Sequence, residues 1–249
     1  MKFVGLFLSI TLVGTLLPRG YATEIVSPTV KIKEIQQVED SLSQQQQAII
    51  PIAAFAASGD MDKLNQALVH GLEQGLTINQ IKAILVQSYA YAGFPRSLNA
   101  LTTFMQLLEQ RKVKGIIDAE GGNSQALPQD YQAKIQGTEN QTQLVGQPVK
   151  GPLFEFSPEI DEYLKAHLFG DIFSRDVLSW QEREIATLGM LASMEGVGSQ
   201  LQSHLGIAKN QGITSHNFEE IEKILTEKVN LKIGQRFKKA NAIFQDQSH

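Results

Sequence analysis

An internal duplication constrains this chain more than any other feature. Placing Gly75 on Gly212 shifts the numbering by 137. Leu64 then falls on Leu201, Gly59 on Gly196 and Gln47 on Glu184, and both copies read Gly-apolar-Thr at the matched glycines. With a three-residue insertion, Ile84-Leu85 matches Ile224-Leu225. Leu98-Asn99-Ala100 matches Ala240-Asn241-Ala242 near the far end. Two copies of one unit predict a pseudo-two-fold pair sharing a core.

The unit is helical. Ile49, Ile50, Ile52, Ala53, Phe55 and Ala56 form a nearly all-apolar run, which predicts a helix buried between others, with Pro51 as a kink or restart. Asp60 is placed to cap a helix over Met61–Gln74 and Thr77 one over Ile78–Tyr91. Gly93-Phe94-Pro95 is a sharp turn before an amphipathic helix from Arg96 to Arg111. Ser157-Pro158 opens a helix in the second copy. Ser179 with Glu182 three residues on is a capping box. Strand patterns are nearly absent, so the class is all-α. The first repeat is assigned to 41–111 and the second to 157–245. Residues 112–156, rich in Gly, Gln and Asn, read as a linker with one short helix near Asp130–Ile135.

Residues 1–22 read as a signal peptide rather than as part of the fold. Lys2 supplies the positive start, Phe3–Leu17 a short apolar stretch, and Gly20-Tyr21-Ala22 the small residues of a cleavage site. The alternative is an N-terminal membrane anchor that stays attached, but the apolar stretch is shorter than the roughly 20 residues of a bilayer span. The expectation is a periplasmic or secreted protein with no stable membrane insertion after cleavage. Loss of Lys2 and Arg19 would take the net charge from −4 to −6. An acidic chain with 19% charged residues offers no basic field for nucleic acid. The chain has no cysteine, so disulfides, thiol catalysis and thiolate metal sites are excluded. No His-x-x-x-His or Glu-x-x-His spacing occurs, and no metal or other cofactor is expected.

Acid–base candidates lie in Leu178–Thr214. Glu184 and His204 fall on consecutive helices separated by a glycine turn, so a carboxylate can orient an imidazole for proton transfer. Gln200 lies four residues before His204 and shares its helix face. The first copy has Gln47, Lys63 and Ala67 at the aligned positions, so only the second can assemble the pair. Arg183 beside Glu184 is read as a surface pair or a substrate contact. His167 is a second acid–base candidate, facing inward beside Tyr163 or capping its helix, and Arg175 is a candidate clamp for an anionic substrate.

The stretch GLTINQIKAILVQSYAYAGFPRSLNAL (Gly75–Leu101), together with Leu178–Thr214, resembles the carboxymuconolactone decarboxylase family in a two-repeat form. That family belongs to the alkylhydroperoxidase-D-like superfamily. Peroxidase-type relatives use a Glu, a Cys-x-x-Cys and a His, which map onto Glu184, Val197, Gln200 and His204. Both thiols are missing, so thiol peroxidase chemistry is disfavoured. Decarboxylase-type relatives imply a cofactor-free lyase on a small-molecule lactone acid, with His204 as proton donor and Glu184 tuning it. The resemblance also implies a homo-oligomer, a trimer or dimer. The family's substrate arises in intracellular aromatic catabolism, which fits poorly with an export signal. Two other readings stay open, a non-catalytic helical binding module and a cofactor-free isomerase or cyclase. Whether Glu184 and His204 converge in a pocket or face solvent separates the enzymes from the binding module.

Overall fold

The computed structural model describes residues 41–247, and the signal-peptide reading of 1–22 lies outside them. The fold is all-α, and its organising pair is α1 (Gln44–Ser58) and α9 (Trp180–Ser193), which make the most extensive helix contact in the protein. Each starts from a capping box. Ser43 Oγ accepts from the Gln46 amide while Gln46 Oε1 accepts from the Ser43 amide, and Ser179 and Glu182 repeat the exchange. The two helices are buried on all sides, over Ala48–Ala57 and Arg183–Ala192. Gly189 permits their close crossing, because a Cβ there would lie 2.8 Å from the Ile50 carbonyl oxygen and 3.4 Å from Ala53 Cβ.

Each of these helices begins a matching series. The first copy continues with α2 (Met61–Glu73), α3 (Ile78–Gln87), the single turn α4 (Tyr89–Ala92) and α5 (Phe94–Val113). The second continues with α10 (Gly198–Asn210), α11 (Ser215–Ile224), a π-helical Leu225–Val229 and α12 (Leu231–Gln247). In both copies the first helix packs on the second, and the long last helix packs on the second and third. Asp60 caps α2 through the Lys63 amide, and Thr77 and Thr214 cap α3 and α11 with capping boxes.

These caps refine the alignment of the copies. Thr77 and Thr214 keep the offset of 137, as do the left-handed Gly59 and Gly196. Ser43 and Ser179 differ by 136. Gln45 and Gln181 agree with that offset, since their amides reach the carbonyls of Gly75 and Gln211 beside the matched glycine turns. The structural mate of Glu184 is therefore Ala48, and Gln47 is the mate of Arg183. The extra residue enters where α9 runs into the Gly196 turn. The three-residue insertion suggested by the sequence match is not seen in this series, because α5 and α12 begin at Phe94 and Leu231, again 137 apart.

The segment read as a linker is built into the structure. Its 119–120 strand of chain accepts the exposed amides of Ile78 and Asn79 at the start of α3, at 2.9 and 3.0 Å. Arg111 and Asp118 close the preceding turn in a two-bond ion pair. In place of a short helix near Asp130–Ile135 there is α6 (Ala133–Val145), packed on a π-helical stretch, Leu164–Ile172. Gly137 and Gly170 let the two approach, since a Cβ on either would strike the facing backbone at Lys165 or Ala133. This contact forms a second apolar cluster of Leu144, Leu168, Phe169, Ile172, Phe173 and Ile207. The short helices α7 (Pro152–Phe156) and α8 (Pro158–Tyr163) come between α6 and the π-helical stretch.

The α1–α9 crossing yields a paired prediction. Gly189→Ala should destabilise the protein by about 1–3 kcal/mol through overpacking. Gly206→Ala meets nothing closer than the Phe244 ring at 3.6 Å. It should stabilise by up to about 1 kcal/mol through helix propensity. Urea midpoints of the two variants check both signs.

Candidate active site

Glu184 sits in the second turn of α9 and His204 in the second turn of α10. The Gly196 turn, with φ 81°, folds one helix back on the other. Glu184 Oε2 lies 2.8 Å from His204 Nδ1. Glu184 is fully buried and His204 is 8% exposed. The other carboxylate oxygen, Oε1, is buried, and among the described residues only His204 hydrogen-bonds this carboxylate. A carboxylate accepts only, and the Nδ1 contact therefore calls for N–H at that nitrogen. His204 Nε2 has no partner within the described chain.

Arg183 is the next residue back along the helix, and it is also buried, at 1% exposure. Nη1 donates to Gln87 Oε1 at 3.0 Å and Nη2 to the Arg175 carbonyl at 2.7 Å. The guanidinium also lies over the Phe173 ring, 5.7 Å from its centroid. Burial pushes its pKa down to about 10, which still leaves a cation at neutral pH. Gln87 turns its amide nitrogen to the Arg183 carbonyl and to Thr187 Oγ1, both at 2.9 Å. Thr187 gives its one hydroxyl proton to the Arg183 carbonyl at 2.9 Å. The Tyr91 hydroxyl, 3.2 Å from Thr187 Oγ1, is then the donor in that contact.

Tyr91 also walls the imidazole. Its ring meets His204 edge to face at 5.6 Å. Burial, and then the charge of Glu184, hold the Tyr91 phenol well above its ordinary pKa, so it stays neutral. Tyr91 packs on the second apolar cluster, as does Ile207, one turn after His204. The dyad thus belongs to the second copy, while Gln87 and Tyr91 come from the first. Neither was singled out from sequence. The available signal was a Gln and a Tyr inside the QSYAYAGFPR stretch, on a helix whose neighbouring positions are core.

The other sequence candidates lie elsewhere. Arg183 is not a surface residue: its guanidinium is buried, with Nη1 and Nη2 bonded inside the protein. His167 does not face inward. The π-helical turn buries Leu168, Phe169 and Ile172 and leaves His167 outside, where it pairs with Asp171 at 3.1 Å. Gln200 is exposed on the first turn of α10 and accepts from Ser199 Oγ. The exposed Arg175 side chain lies on the wall of an open groove of about 450 Å³ with Tyr131, Phe173 and Trp180, and Glu184 and His204 do not line that groove. Among the described residues no group of three or more His, Asp or Glu is placed to hold a metal ion. None of their helices is long and apolar enough to cross a membrane.

A model of the carboxymuconolactone decarboxylase family matches the chain at residues 32–104 and 158–246. The chain belongs to that family. The two matched segments follow the two helical series, and they contain Gln87, Tyr91, Glu184 and His204. No curated protein matches the chain significantly. The candidate site is a carboxylate–imidazole dyad inside an all-helical layer, with one ring nitrogen unpartnered among the described residues.

The polar network predicts a stability difference. Gln87→Leu strands Arg183 Nη1 and should cost about 1–3 kcal/mol, as expected for a buried donor left unpaired. Gln200→Ala, on the exposed turn, should stay within about 0.5 kcal/mol of the parent. Thermal and urea unfolding of the two variants distinguish these outcomes.

Proposed function

We propose that the protein is a cofactor-independent lyase that moves a proton through His204 Nε2 on a small lactone or carbonyl acid. The observation that carries this reading is the buried 2.8 Å contact between Glu184 and His204 Nδ1, which leaves Nε2 as the free end of the imidazole. Glu184 fixes the tautomer and balances the charge when the ring is an imidazolium. Family membership supports the scaffold and the two-repeat form. The absence of cysteine removes the thiol chemistry of peroxidase-type relatives.

In a decarboxylation the bond between the substrate carbon and its carboxylate breaks and CO2 leaves. The bonding electrons pass into the conjugated carbonyl, and the resulting carbanion equivalent takes the proton from His204 Nε2–H. The ring is reprotonated from water before the next turnover. An isomerisation would use the same shuttle without loss of CO2. The export reading of residues 1–22 and assembly into a homo-oligomer belong to this proposal. An exported setting favours a small acid other than the family's intracellular lactone.

The test is a panel of small unsaturated lactone acids and β-oxo acids, followed by CO2 release and by deuterium uptake from heavy water. His204→Ala should lower turnover by about 10²–10⁴-fold, the usual range for a positioned acid–base group. Glu184→Gln should lower it less, with Tyr91→Phe near the parent. Full turnover in His204→Ala would rule the reading out.

A further inference from the structure

The first copy carries the pseudo-two-fold mate of the dyad site, and there the chain leaves a cavity of about 280 Å³. With the register set by the helix caps, Gln47 stands where Arg183 does, Pro51 where Thr187 does and Ala67 where His204 does. Ile224 and Lys228 take the positions of Gln87 and Tyr91. All five line this cavity. The mate of Glu184 is Ala48, which is buried and uncharged. The carboxylate–imidazole dyad therefore has no counterpart at this position. Ala67 and Lys228, replacing an imidazole and a phenol, open the space the rings would fill.

The lining has a definite chemistry. Phe55, Pro51, Ala67 and Ile224 give an apolar floor and wall. Lys63, His70 and Lys228 are exposed around it, and no carboxylate lines the cavity. Lys63 Nζ is shared with Asp60 at 3.3 Å and lies 5.8 Å from the Phe55 ring centroid. Lys228 has no ion-pair or hydrogen-bond partner among the described residues. Pro51 lacks the amide hydrogen that would bond the Gln47 carbonyl in a regular helix. The Gln47 side chain is held away from that duty by its bond to the Leu42 carbonyl at 2.8 Å.

We propose that this cavity is a second, non-catalytic site for a small carboxylate with an apolar or aromatic body. The body lies against Phe55, Pro51 and Ile224, and the carboxylate meets Lys228 and Lys63. The site is independent of the reaction assigned to His204, and it stands or falls on binding alone.

Benzoate titrated into the intact ¹⁵N-labelled protein tests it, with benzamide as the neutral isostere. Saturating shifts are expected at the amides of Ala67, His70 and Ile224, with a Kd on the order of 1 mM. Benzamide should bind about tenfold more weakly, as should benzoate to Lys228→Met. Ala67→Leu, which fills the cavity, should abolish the shifts while the remaining spectrum stays native. Three results would overturn the proposal: no saturable shift at these amides, shifts confined to Tyr91 and Leu205, or undiminished benzoate binding to a Lys63→Met, Lys228→Met double variant.

Discussion

Burying a guanidinium and a carboxylate on adjacent residues of one helix forces much of the surrounding arrangement. Consecutive residues on an α-helix point about 100° apart, so Arg183 and Glu184 cannot neutralise each other directly. Each needs its own partners in a medium that penalises an unpaired charge. Arg183 takes Gln87, the Arg175 carbonyl and the Phe173 face. Glu184 takes His204. Because Gln87 and Tyr91 come from the other copy, meeting these demands also ties the two repeats together across the α1–α9 crossing. Gly189 lets α1 and α9 cross closely at the centre of this arrangement.

The duplication has been used unequally. One of the two equivalent sites holds a dyad, a buried cation and, from the other copy, a neutral phenol. The other site has Ala, Gln or Lys in place of every one of those groups, yet both copies keep the same helix caps and glycine turns. Caps and turns determine where helices start and stop, and both copies need them. The side chains at the two equivalent positions are free to diverge, because each hydrogen-bond network is local.

Much of the fold was legible in the sequence for the same reason. Ser179 with Glu182, Thr77, Asp60 and the apolar runs over 49–57 and 185–192 announce their helices through local chemistry. Glu184 and His204 were legible as a pair because one glycine turn separates two strongly patterned helices. Gln87 and Tyr91 were not, since their role exists only once the copies dock. Matching glycines across the copies also hid a one-residue difference in α9, which paired Glu184 with Gln47 instead of Ala48. The helix Ala133–Val145 escaped because its buried residues are Gly137, Asn140, Gln141 and Leu144. A helix seated through glycine contact and side-chain amides carries no apolar period. His167 was misplaced because a π-helical turn changes which residues face inward.

The central claim is that Glu184 fixes the His204 tautomer and leaves Nε2 free to carry the proton. Long-range ¹H–¹⁵N correlation of the His204 ring tests it most directly, with Glu184→Gln as the comparison. The account predicts that the neutral imidazole holds its proton on Nδ1, with Nε2 bare, and that Glu184→Gln disturbs this preference. A neutral ring protonated on Nε2, with Nδ1 bare beside the carboxylate, would contradict it.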